Sequence, residues 1–411
     1  MSQARALFVK RLCAGLACIW CIGAGAQMPV INVSVAGGQS IDDAPRPCAV
    51  VLVHGQDSFS ANGRIHIRGA SSRSFPKHSY TLVLDSALAL LAGQPAQKKW
   101  VLYALWLDRS YIRALLAQTL ARDTRAGAPH AMLTQCTIAG RPQGIYGITQ
   151  SIRAPDSNTI VFKIDKQNKN ERHIWTSAQD TNVFALAHHP GPKHLPAATR
   201  NALSMQLSAL DSALASADFQ DAQNGWRAYL DEATTIDYIL LMEWLRPVDA
   251  YRSSAYFYWR PGEKIKPGPL WDMDQSMGNS KLYGAARTDG WQWASSARCA
   301  HCRPDMPRWW QRLTMEDTTL RHALARRWQA LRSGPFSDVR VNALIDSLMP
   351  PPDMRAADVQ AWGTQPARRL SAMVAYRTYR AEVSALRKFL RQRAAWLDAA
   401  LNLSNAATGE K

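Results

Sequence analysis

The stretch that decides the fold is WDMDQS at residues 271–276, which follows the aromatic run YFYW at residues 256–259. Asp249 precedes the aromatic run, so Asp249 and Asp272 stand on either side of a short strand-like segment. Two carboxylates held a short hairpin apart are suited to bind a divalent cation against the phosphates of a nucleotide. The stretch therefore predicts a site for a metal and a phosphorylated ligand.

The size and charge of the chain limit what can surround this site. The chain has 411 residues, 47% of them hydrophobic, which is enough to bury a substantial core in one large domain or two closely packed lobes. The formal net charge is +17, from 49 Lys and Arg against 32 Asp and Glu. This excess favours anionic partners, namely nucleotide phosphates, acidic polypeptides, a membrane surface or nucleic acid. Solvated arginine-rich helix faces are the alternative source of most of the charge.

The first 26 residues have the pattern of an export signal. Lys10 and Arg11 precede an apolar run from Leu12 to Gly25, and small residues lie just before Gln27, the expected first residue of the mature chain. The run is too short to span a bilayer comfortably, and no later segment is long and apolar enough to do so. We therefore expect an exported protein, periplasmic or extracellular, without a transmembrane segment after signal cleavage.

Four cysteines remain after removal of the signal, namely Cys48, Cys136, Cys299 and Cys302. In an oxidising compartment an even number predicts disulfides, here Cys299 with Cys302 as a local link and Cys48 with Cys136. A redox-active pair and half of a zinc site are the alternatives, but no second Cys-x-x-Cys or paired-His motif completes either. A lipid anchor on a cysteine of the signal is a minor alternative.

The early part of the mature chain has the pattern of strands. After a linker over residues 27–45, alternation predicts strands around residues 51–53 and 65–68. Residues 69–76 form a loop of small and hydroxyl side chains, and residues 77–84 return as a strand. The pattern predicts a hairpin that acts as a lid.

A helix and a second hairpin follow. The helix is predicted to begin at Ser110, with Asp108 just before it as an acidic N-terminal partner. The second hairpin covers residues 132–152, and Gly140 to Gln143 supply its turn.

From about residue 199 the apolar spacing is mainly helical. Pro247 ends one of these helices, so Asp249 is expected in a loop. Strands early and helices late predict an α+β protein with a strand-rich lobe, a helical lobe and a nucleotide between them. The expected bounds are about 46–165 for the first lobe, about 199–400 for the second, and 401–411 for a C-terminal tail.

Four short blocks occur in order along the chain. They are Ile67 to Ser72 with Pro76 to Tyr80, Trp100 to Leu102 with Asp108 and Arg113, Gly140 to Gly147, and Asp249 with Trp271 to Asp274. The ordered set resembles the spore coat protein H (CotH) kinase family over residues from about 46 to about 400. The resemblance implies an atypical protein-kinase-like fold, ATP and Mg²⁺ (or Mn²⁺) as cofactors, and transfer of phosphate to Ser or Thr of a Ser-rich exported or surface protein.

The resemblance also implies roles for the aspartates. Asp249 looks like the catalytic-loop aspartate that orients the acceptor hydroxyl and accepts its proton. Asp272 looks like the metal-binding aspartate, with Asp274 as a second carboxylate beside it. The structural alternative is that Asp249 caps a turn while Asp272 and Asp274 face solvent in a loop.

Basic and hydroxyl side chains supply the candidate nucleotide contacts. Lys77 begins the returning strand, where its ammonium would reach phosphate oxygens while Ser71 and Ser72 cover them. Lys163 is a second candidate, and either lysine can instead be a solvated strand residue.

Two arginines each have two possible roles. Arg68 and Arg113 either bind phosphate or pair internally with Asp108. We expect Arg68 among the nucleotide contacts and Arg113 in the internal pair.

Three departures from the family pattern bear on activity. Ala70 and Gln150 stand where family members usually carry Asn and Glu, so a lysine–glutamate ion pair cannot form at Gln150. Ser253 and Ser254 stand where an Asn would assist the metal, and serine is a weaker, neutral ligand. The departures indicate altered nucleotide use or lost activity, whereas the retained Asp249 and Asp272 argue against complete loss.

Other functions fit less well. The chain lacks a Gly-x-x-x-x-Gly-Lys-Ser/Thr loop, a Gly-x-Gly-x-x-Gly fingerprint, a His-Glu-x-x-His motif and a Gly-x-Ser-x-Gly elbow. A nucleic-acid partner is not expected, because no reader motif is present and export argues against it. The main competitor is a surface or secreted binding protein that keeps the kinase fold for recognition alone.

Overall fold

The computed structural model describes residues 28–38, 40–166, 173–180, 182–298, 306–363, 373–374 and 378–402. Three predictions lie outside these residues: the export signal, the Cys299–Cys302 link and the tail after residue 402.

Seven strands of the first part form a closed barrel. They are β1 (Val30–Val35), β2 (Arg46–His54), β3 (Asp57–Arg68), β4 (Ser79–Leu88), β5 (Gln97–Tyr103), β6 (Ala131–Ile138) and β7 (Arg141–Gln150). Their order is β1-β2-β3-β4-β5-β7-β6. The parallel pairing of β6 with β1 closes the barrel, and the other neighbours are antiparallel.

The alternation of apolar and polar residues explains the barrel. In β1, Ile31, Val33 and Val35 are buried in the barrel interior, while Asn32 and Ser34 between them are exposed. The other six barrel strands also contribute apolar side chains to this interior, and Trp100 of β5 is the largest of them. The segment that contains β1, assigned above to a linker, thus supplies the closing strand. Both predicted hairpins are present, as β3–β4 and β6–β7.

A second sheet combines three strands that follow the barrel directly in the sequence with two strands that come after residue 250. Its strands are β8 (Ile160–Ile164), β9 (His173–Thr176), β10 (Phe184–His189), β11 (Ala255–Trp259) and β12 (Lys266–Pro267). The order is β12-β11-β8-β10-β9, with antiparallel pairs throughout. The aromatic run of the opening motif is β11, as predicted, and β11 pairs directly with β8.

The described residues contain eight α-helices. They are α1 (Arg113–Arg122), α2 (Ala197–Ala215), α3 (Glu232–Leu245), α4 (Trp309–Glu316), α5 (Thr318–Arg332), α6 (Asp338–Leu348), α7 (Pro352–Trp362) and α8 (Tyr379–Ala400). Helix α3 is buried on nearly all sides, and Asp231 caps its N-terminus by accepting a hydrogen bond from the backbone N–H of Thr234. Within the described ranges, none of the helices has the length and apolar character required to cross a membrane. The strand-rich first part and helical last part confirm the predicted α+β class.

A small apolar cluster joins the barrel to the second sheet. Val101 of β5 packs in it with Ile152, with Val161 of β8, with Tyr256 of β11 and with Trp271 of the acidic motif. The opening motif is therefore anchored where the two sheets meet.

The predicted disulfide between Cys48 and Cys136 is wrong, because both are buried free thiols. Cys48 pairs with Val35 at one end of β1, whereas Cys136 pairs with Ile31 near the other end. Four residues along a strand separate positions by roughly 13 Å, which is too far for a disulfide. Burial instead raises the pKa of the Cys48 thiol to about 11.

Candidate functional site

Two loops carry the aspartates and are tied together by their backbones. Asp249 lies in the turn after α3, and Asp272 lies in the segment after β12. The backbone N–H of Val248 donates to the carbonyl of Gln275 at 3.0 Å, and that of Met277 donates to the carbonyl of Leu245 at 2.7 Å. The two loops thus form one unit, and the sequence prediction that Asp249 lies in a loop after a helix is confirmed.

The backbone of this unit is unusually strained. Left-handed φ angles occur at Arg246 (47°), Tyr251 (69°), Ser254 (50°), Asp272 (62°) and Met277 (51°). For a residue with a Cβ this conformation costs about 1–2 kcal/mol. Such strain persists only where the surrounding structure enforces it, and it is typical of functional sites.

The carboxylates repel one another. The pKa of Asp272 is raised to about 6, first by burial and then by the negative charge of Asp249, while Arg68 opposes the shift. The pKa of Asp274 is raised well above its usual value by burial and then by Asp272. The site therefore collects more negative charge than its own cations offset, which is the situation that a bound dication relieves.

Arg68, at the end of β3, lies beside this cluster, where its positive charge acts on Asp272. The sequence predicted that Arg68 contacts the nucleotide. Its guanidinium carbon lies 5.3 Å from the ring centroid of Trp271. Its Nη1 is buried and has no hydrogen-bond partner among the described residues. A buried donor without a partner costs free energy, and a phosphate oxygen would satisfy it.

Lys163 lies in the same neighbourhood and forms a local ion pair. Its Nζ is 2.7 Å from Oδ2 of Asp165, and the hydroxyl of Ser253 donates to Oδ1 of Asp165 at 2.6 Å. Asp165 also raises the pKa of Asp272, so its carboxylate belongs to the cluster. Asp165 was missed by the sequence analysis, although the two-residue period of a strand places Lys163 and Asp165 on one face.

Asp249 has a cationic neighbour that the sequence analysis also missed. Nη2 of Arg252 is 3.4 Å from Oδ1 of Asp249 and donates to the carbonyl of Val248 at 3.2 Å. The Arg252 guanidinium also stacks on Tyr283, with its carbon 3.7 Å from the ring centroid. The Asp249 side chain keeps 25% of its surface exposed, so it is held in place yet reachable. Arg252 follows Asp249 by three positions in a turn, and this spacing could have predicted the pair from the sequence.

Ser254, at the position of a family departure, contacts the second aspartate. Its hydroxyl donates to Oδ2 of Asp272 at 3.3 Å, and this hydrogen bond lowers the Asp272 pKa slightly against the larger effects of burial and Asp249.

Lys77 has different contacts from those predicted. Its ammonium is buried, ion-pairs with Oδ1 of Asp358 on α7 at 2.6 Å and donates to the carbonyl of Ile145 at 2.6 Å. It also lies 4.8 Å from the ring centroid of Tyr146. An ammonium enclosed in this way has no open side for a nucleotide, so the predicted phosphate contact is corrected: Lys77 attaches α7 to the barrel.

Ser71 and Ser72 lie in a short 3-10 turn over Ser71–Ser74, directly beyond Arg68. The tight turn requires a glycine at position 69, where φ is +111° and a Cβ would lie 1.9 Å from Oγ of Ser72. Ser71 is exposed and Ser72 is half-buried. Both hydroxyls thus stand at the end of β3, on the loop that begins beside the aspartate cluster.

Arg113 forms the internal pair that the sequence favoured. Its Nη1 lies 2.6 Å from Oδ1 of Asp108, and its Nη2 lies 2.8 Å from Oε1 of Glu382 on α8. Asp108 also accepts a hydrogen bond from the backbone N–H of Arg113 at 2.7 Å, which places the carboxylate at the start of α1. The helix begins at Arg113, three residues after the predicted start.

The donor set suits a hard dication that keeps part of its coordination for a ligand. Carboxylate oxygens are the protein ligands that Mg²⁺ and Mn²⁺ prefer, and Mg²⁺ commonly uses one or two carboxylates together with phosphates and waters. In the described ranges no three His, Cys, Asp or Glu side chains are arranged as a complete metal cage. Asp272 and Asp274 therefore fit a cation that arrives with phosphate oxygens.

Comparison with known families gives a match that covers most of the chain. A family model described as CotH kinase protein matches residues 65–397, from the last residues of β3 to the last turn of α8. The matched span includes both aspartate loops, Arg68 and Lys163. Comparison with curated proteins gives no match.

Proposed function

Because the chain belongs to the CotH kinase family, we propose that it is a secreted protein kinase that transfers the γ-phosphate of ATP to Ser or Thr hydroxyls of exported or surface proteins. A kinase-like function follows from the family. The observation that supports the finer assignment is the group of mutually repelling aspartates beside a buried arginine nitrogen without a partner. Negative ligands for a metal and a positive donor for phosphates are the two things that phosphoryl transfer requires.

Asp249 is the residue that would act on the acceptor. Its partly exposed carboxylate would accept the proton of the Ser or Thr hydroxyl as that oxygen bonds to the γ-phosphorus of ATP, while the bond from that phosphorus to the bridging oxygen breaks and ADP leaves. Arg252 keeps that carboxylate oriented, because it is itself fixed by the Val248 carbonyl and the Tyr283 ring.

Asp272 and Asp274 would hold Mg²⁺ or Mn²⁺, which neutralises phosphate charge when bound with ATP. Their raised pKa values come from burial and from negative neighbours, so a dication restores the ionised form of both. Arg68 offers its free Nη1 to a phosphate oxygen, and Lys163 can share its ammonium between Asp165 and the phosphates.

Transfer of labelled phosphate tests this function. Purified protein is incubated with labelled ATP, Mg²⁺ and a Ser-rich acceptor, and Asp249→Asn is compared with the native chain. Loss of a general base lowers transfer by about 10²–10⁴-fold. Equal labelling by both proteins would rule out the proposed role of Asp249.

A surface or secreted binding protein that keeps the kinase fold is the second candidate. It is favoured by Ser253, whose hydroxyl is hydrogen-bonded to Asp165 where the family's Asn would assist a metal. A thermal shift separates the two, because ATP with Mg²⁺ raises the melting temperature of a nucleotide-binding protein by mass action and leaves a pure adhesin unchanged.

Export through the N-terminal signal is part of the proposal. Expression of the full chain should yield a periplasmic or extracellular protein whose first residue is Gln27. N-terminal sequencing of the secreted protein checks this, and a cytoplasmic protein that retains residues 1–26 would contradict it.

A further inference from the structure

The outer face of β3 and β5 carries a run of positive charge beside the aspartate cluster. Ile65 and Ile67 of β3 pack in the barrel cluster, so the alternating Arg64, His66 and Arg68 stand on the outside. We call the set Arg64, His66, Arg68, Lys99 and Arg153 the basic face.

Strand pairing places two members of the basic face in one row. Arg64 of β3 is opposite Val83 of β4, and Val83 is opposite Lys99 of β5. Two strand spacings put Arg64 and Lys99 roughly 10 Å apart, and the four-residue step from Arg64 to Arg68 is roughly 13 Å. The basic face therefore extends away from Asp272 and continues well beyond Arg68.

Arg153 belongs to the same surface. It follows β7, and its neighbour Ala154 donates its backbone N–H to Nδ1 of His189 at 3.4 Å. Gln150 at the end of β7 is opposite Trp100 of β5, so the chain that continues to Arg153 runs alongside Lys99. Desolvation first, and then Arg68 and Arg153, lower the pKa of the Lys99 ammonium, in keeping with this position.

The basic face lacks the ion pairs that neighbouring arginines form. Among the described residues, Arg64, Arg68, Lys99 and Arg153 form no ion pair, whereas Arg46 and Arg73 close by are paired with Asp42 and Asp43.

The pKa of His66 also indicates an excess of positive charge on the basic face. Burial first, and then Lys99, Arg68 and Arg73, lower the pKa of His66, and Asp43 opposes them only in part. An anionic partner would relieve this repulsion.

We propose that the basic face binds an Asp- and Glu-rich segment of the acceptor polypeptide, next to the Ser or Thr that is phosphorylated. The proposal rests on the proposed kinase function, because Arg68 connects the basic face to Asp272. An extended peptide covers 13 Å with about four residues, so a short acidic run beside the acceptor hydroxyl matches the length of the face.

Peptide binding without ATP tests the surface itself. Three fluorescent peptides of equal length carry one serine flanked by Glu, by Gln or by Lys, and their affinities are measured by anisotropy. We expect the Glu peptide to bind about tenfold more tightly than the Gln peptide at low salt, with the preference shrinking as ionic strength rises. Equal binding of the Glu and Lys peptides, or binding of none, would overturn the proposal.

Charge reversal locates the binding. The double variant Arg64→Glu, Lys99→Glu is compared with Arg326→Glu, Arg391→Glu, which changes the net charge equally at exposed positions of α5 and α8. The first variant should lose the preference for the Glu peptide, about tenfold, and the second should keep it. Equal losses in both variants would show a general charge effect and overturn the proposal.

The two hypotheses fail separately. If the Glu peptide binds the native basic face and no variant or peptide is phosphorylated, the kinase function fails and the surface stands. If the Gln peptide is phosphorylated equally by the native chain and by Arg64→Glu, Lys99→Glu, and no acidic preference is measured, the kinase function stands and the basic-face proposal fails. The ATP and Mg²⁺ thermal shift of both double variants should equal that of the native chain, since neither changes an aspartate or Arg68.

Discussion

The charged groups around the aspartate loops fall into two arrangements that use the same residue types. In the first, represented by Lys77 with Asp358 and by Arg113 with Asp108, each buried cation has a carboxylate at 2.6 Å. In the second, Asp272 lies near Asp249 and has raised pKa, while Arg68 keeps a nitrogen without a partner.

Under the proposed function, the difference separates charges that hold the fold together from charges that would bind the metal and the nucleotide. Breaking a buried pair leaves an uncompensated charge and destabilises the fold. Removing one member of a group of like charges relieves repulsion instead, so its loss is felt in binding and catalysis. Stability and activity should therefore respond in opposite ways at the two arrangements.

The largest effect is expected at Asp272→Asn. The variant should lose the thermal shift with ATP and Mg²⁺ and should transfer phosphate roughly 10³-fold more slowly, because a metal ligand supplies several kcal/mol of charge stabilisation. The free energy of unfolding without ligand should be unchanged or higher, since a carboxylate that burial and Asp249 disfavour becomes neutral.

A matched control is Asp353→Asn, an exposed aspartate on α7 that should leave both measurements unchanged. A strong loss of stability in Asp272→Asn, measured by urea unfolding, would show that Asp272 belongs to the first arrangement, whose charges hold the fold together.

Lys77→Met should have the opposite signature. It removes the partner of buried Asp358 and should lower the free energy of unfolding by about 3–5 kcal/mol, measured by urea unfolding. The double variant Lys77→Met, Asp358→Leu should recover much of the loss, because no charge is then buried alone. A Lys77→Met protein that is fully stable but no longer shifted by ATP would restore the nucleotide contact expected from the sequence.

Much of the fold follows from local pattern, and the exceptions have identifiable causes. The hairpins, the helix before Asp249 and the strand β11 were predictable because their apolar residues repeat with the period of the element. Helix α7 was missed because only Met354 and Asp358 are buried along it, so it has no apolar stripe. β1 was missed because its alternation covers only six residues of a segment that was taken for a linker. Its pairing with β2 and its parallel pairing with β6, 105 positions away, become visible only in the folded barrel.

The site shows the same division. The loop positions of Asp249 and Asp272 were predictable because the end of a helix near Pro247 and the type of each residue are local properties. The partner of Lys77 was not, since Asp358 lies 281 positions further along the chain and only folding brings it to the ammonium. Sequence gives residue types that can bind a phosphate, whereas burial and pairing decide which of them are still free to do so.

His188 lies near Lys163 and Arg68, so the pH dependence of stability measures the positive charge around the second arrangement. Burial, and then Lys163, lower its pKa to about 4, while its Nε2 donates to the Ile152 carbonyl at 3.2 Å. The unfolded chain, with an ordinary pKa near 6.5, binds more protons between these values, so stability should fall as pH drops from about 6.5 to 4. His188→Gln should remove up to about 3 kcal/mol of this dependence.

Urea unfolding of both proteins at several pH values measures the difference. Parallel curves for the native chain and His188→Gln would show that His188 is protonated at no cost and that the positive charges around it are weaker than the structure indicates.

The smallest effect is expected at Arg68, where two substitutions distinguish the role of its positive charge from the role of its planar shape. Arg68→Met should weaken binding of ATP with Mg²⁺ by about tenfold, because one hydrogen bond to a charged oxygen is lost, while unfolding without ligand changes little. Arg68→Lys keeps the charge beside Asp272 but loses the planar group that stacks on Trp271 and presents Nη1, so it should recover only part of the affinity. Full recovery by Lys, measured by titration calorimetry, would mean that Arg68 acts only as a point charge. A guanidinium nitrogen whose partner is a ligand contributes little to the stability of the unliganded fold. A stability loss in Arg68→Met as large as that of Lys77→Met would therefore place Arg68 in the first arrangement, with Lys77 and Arg113.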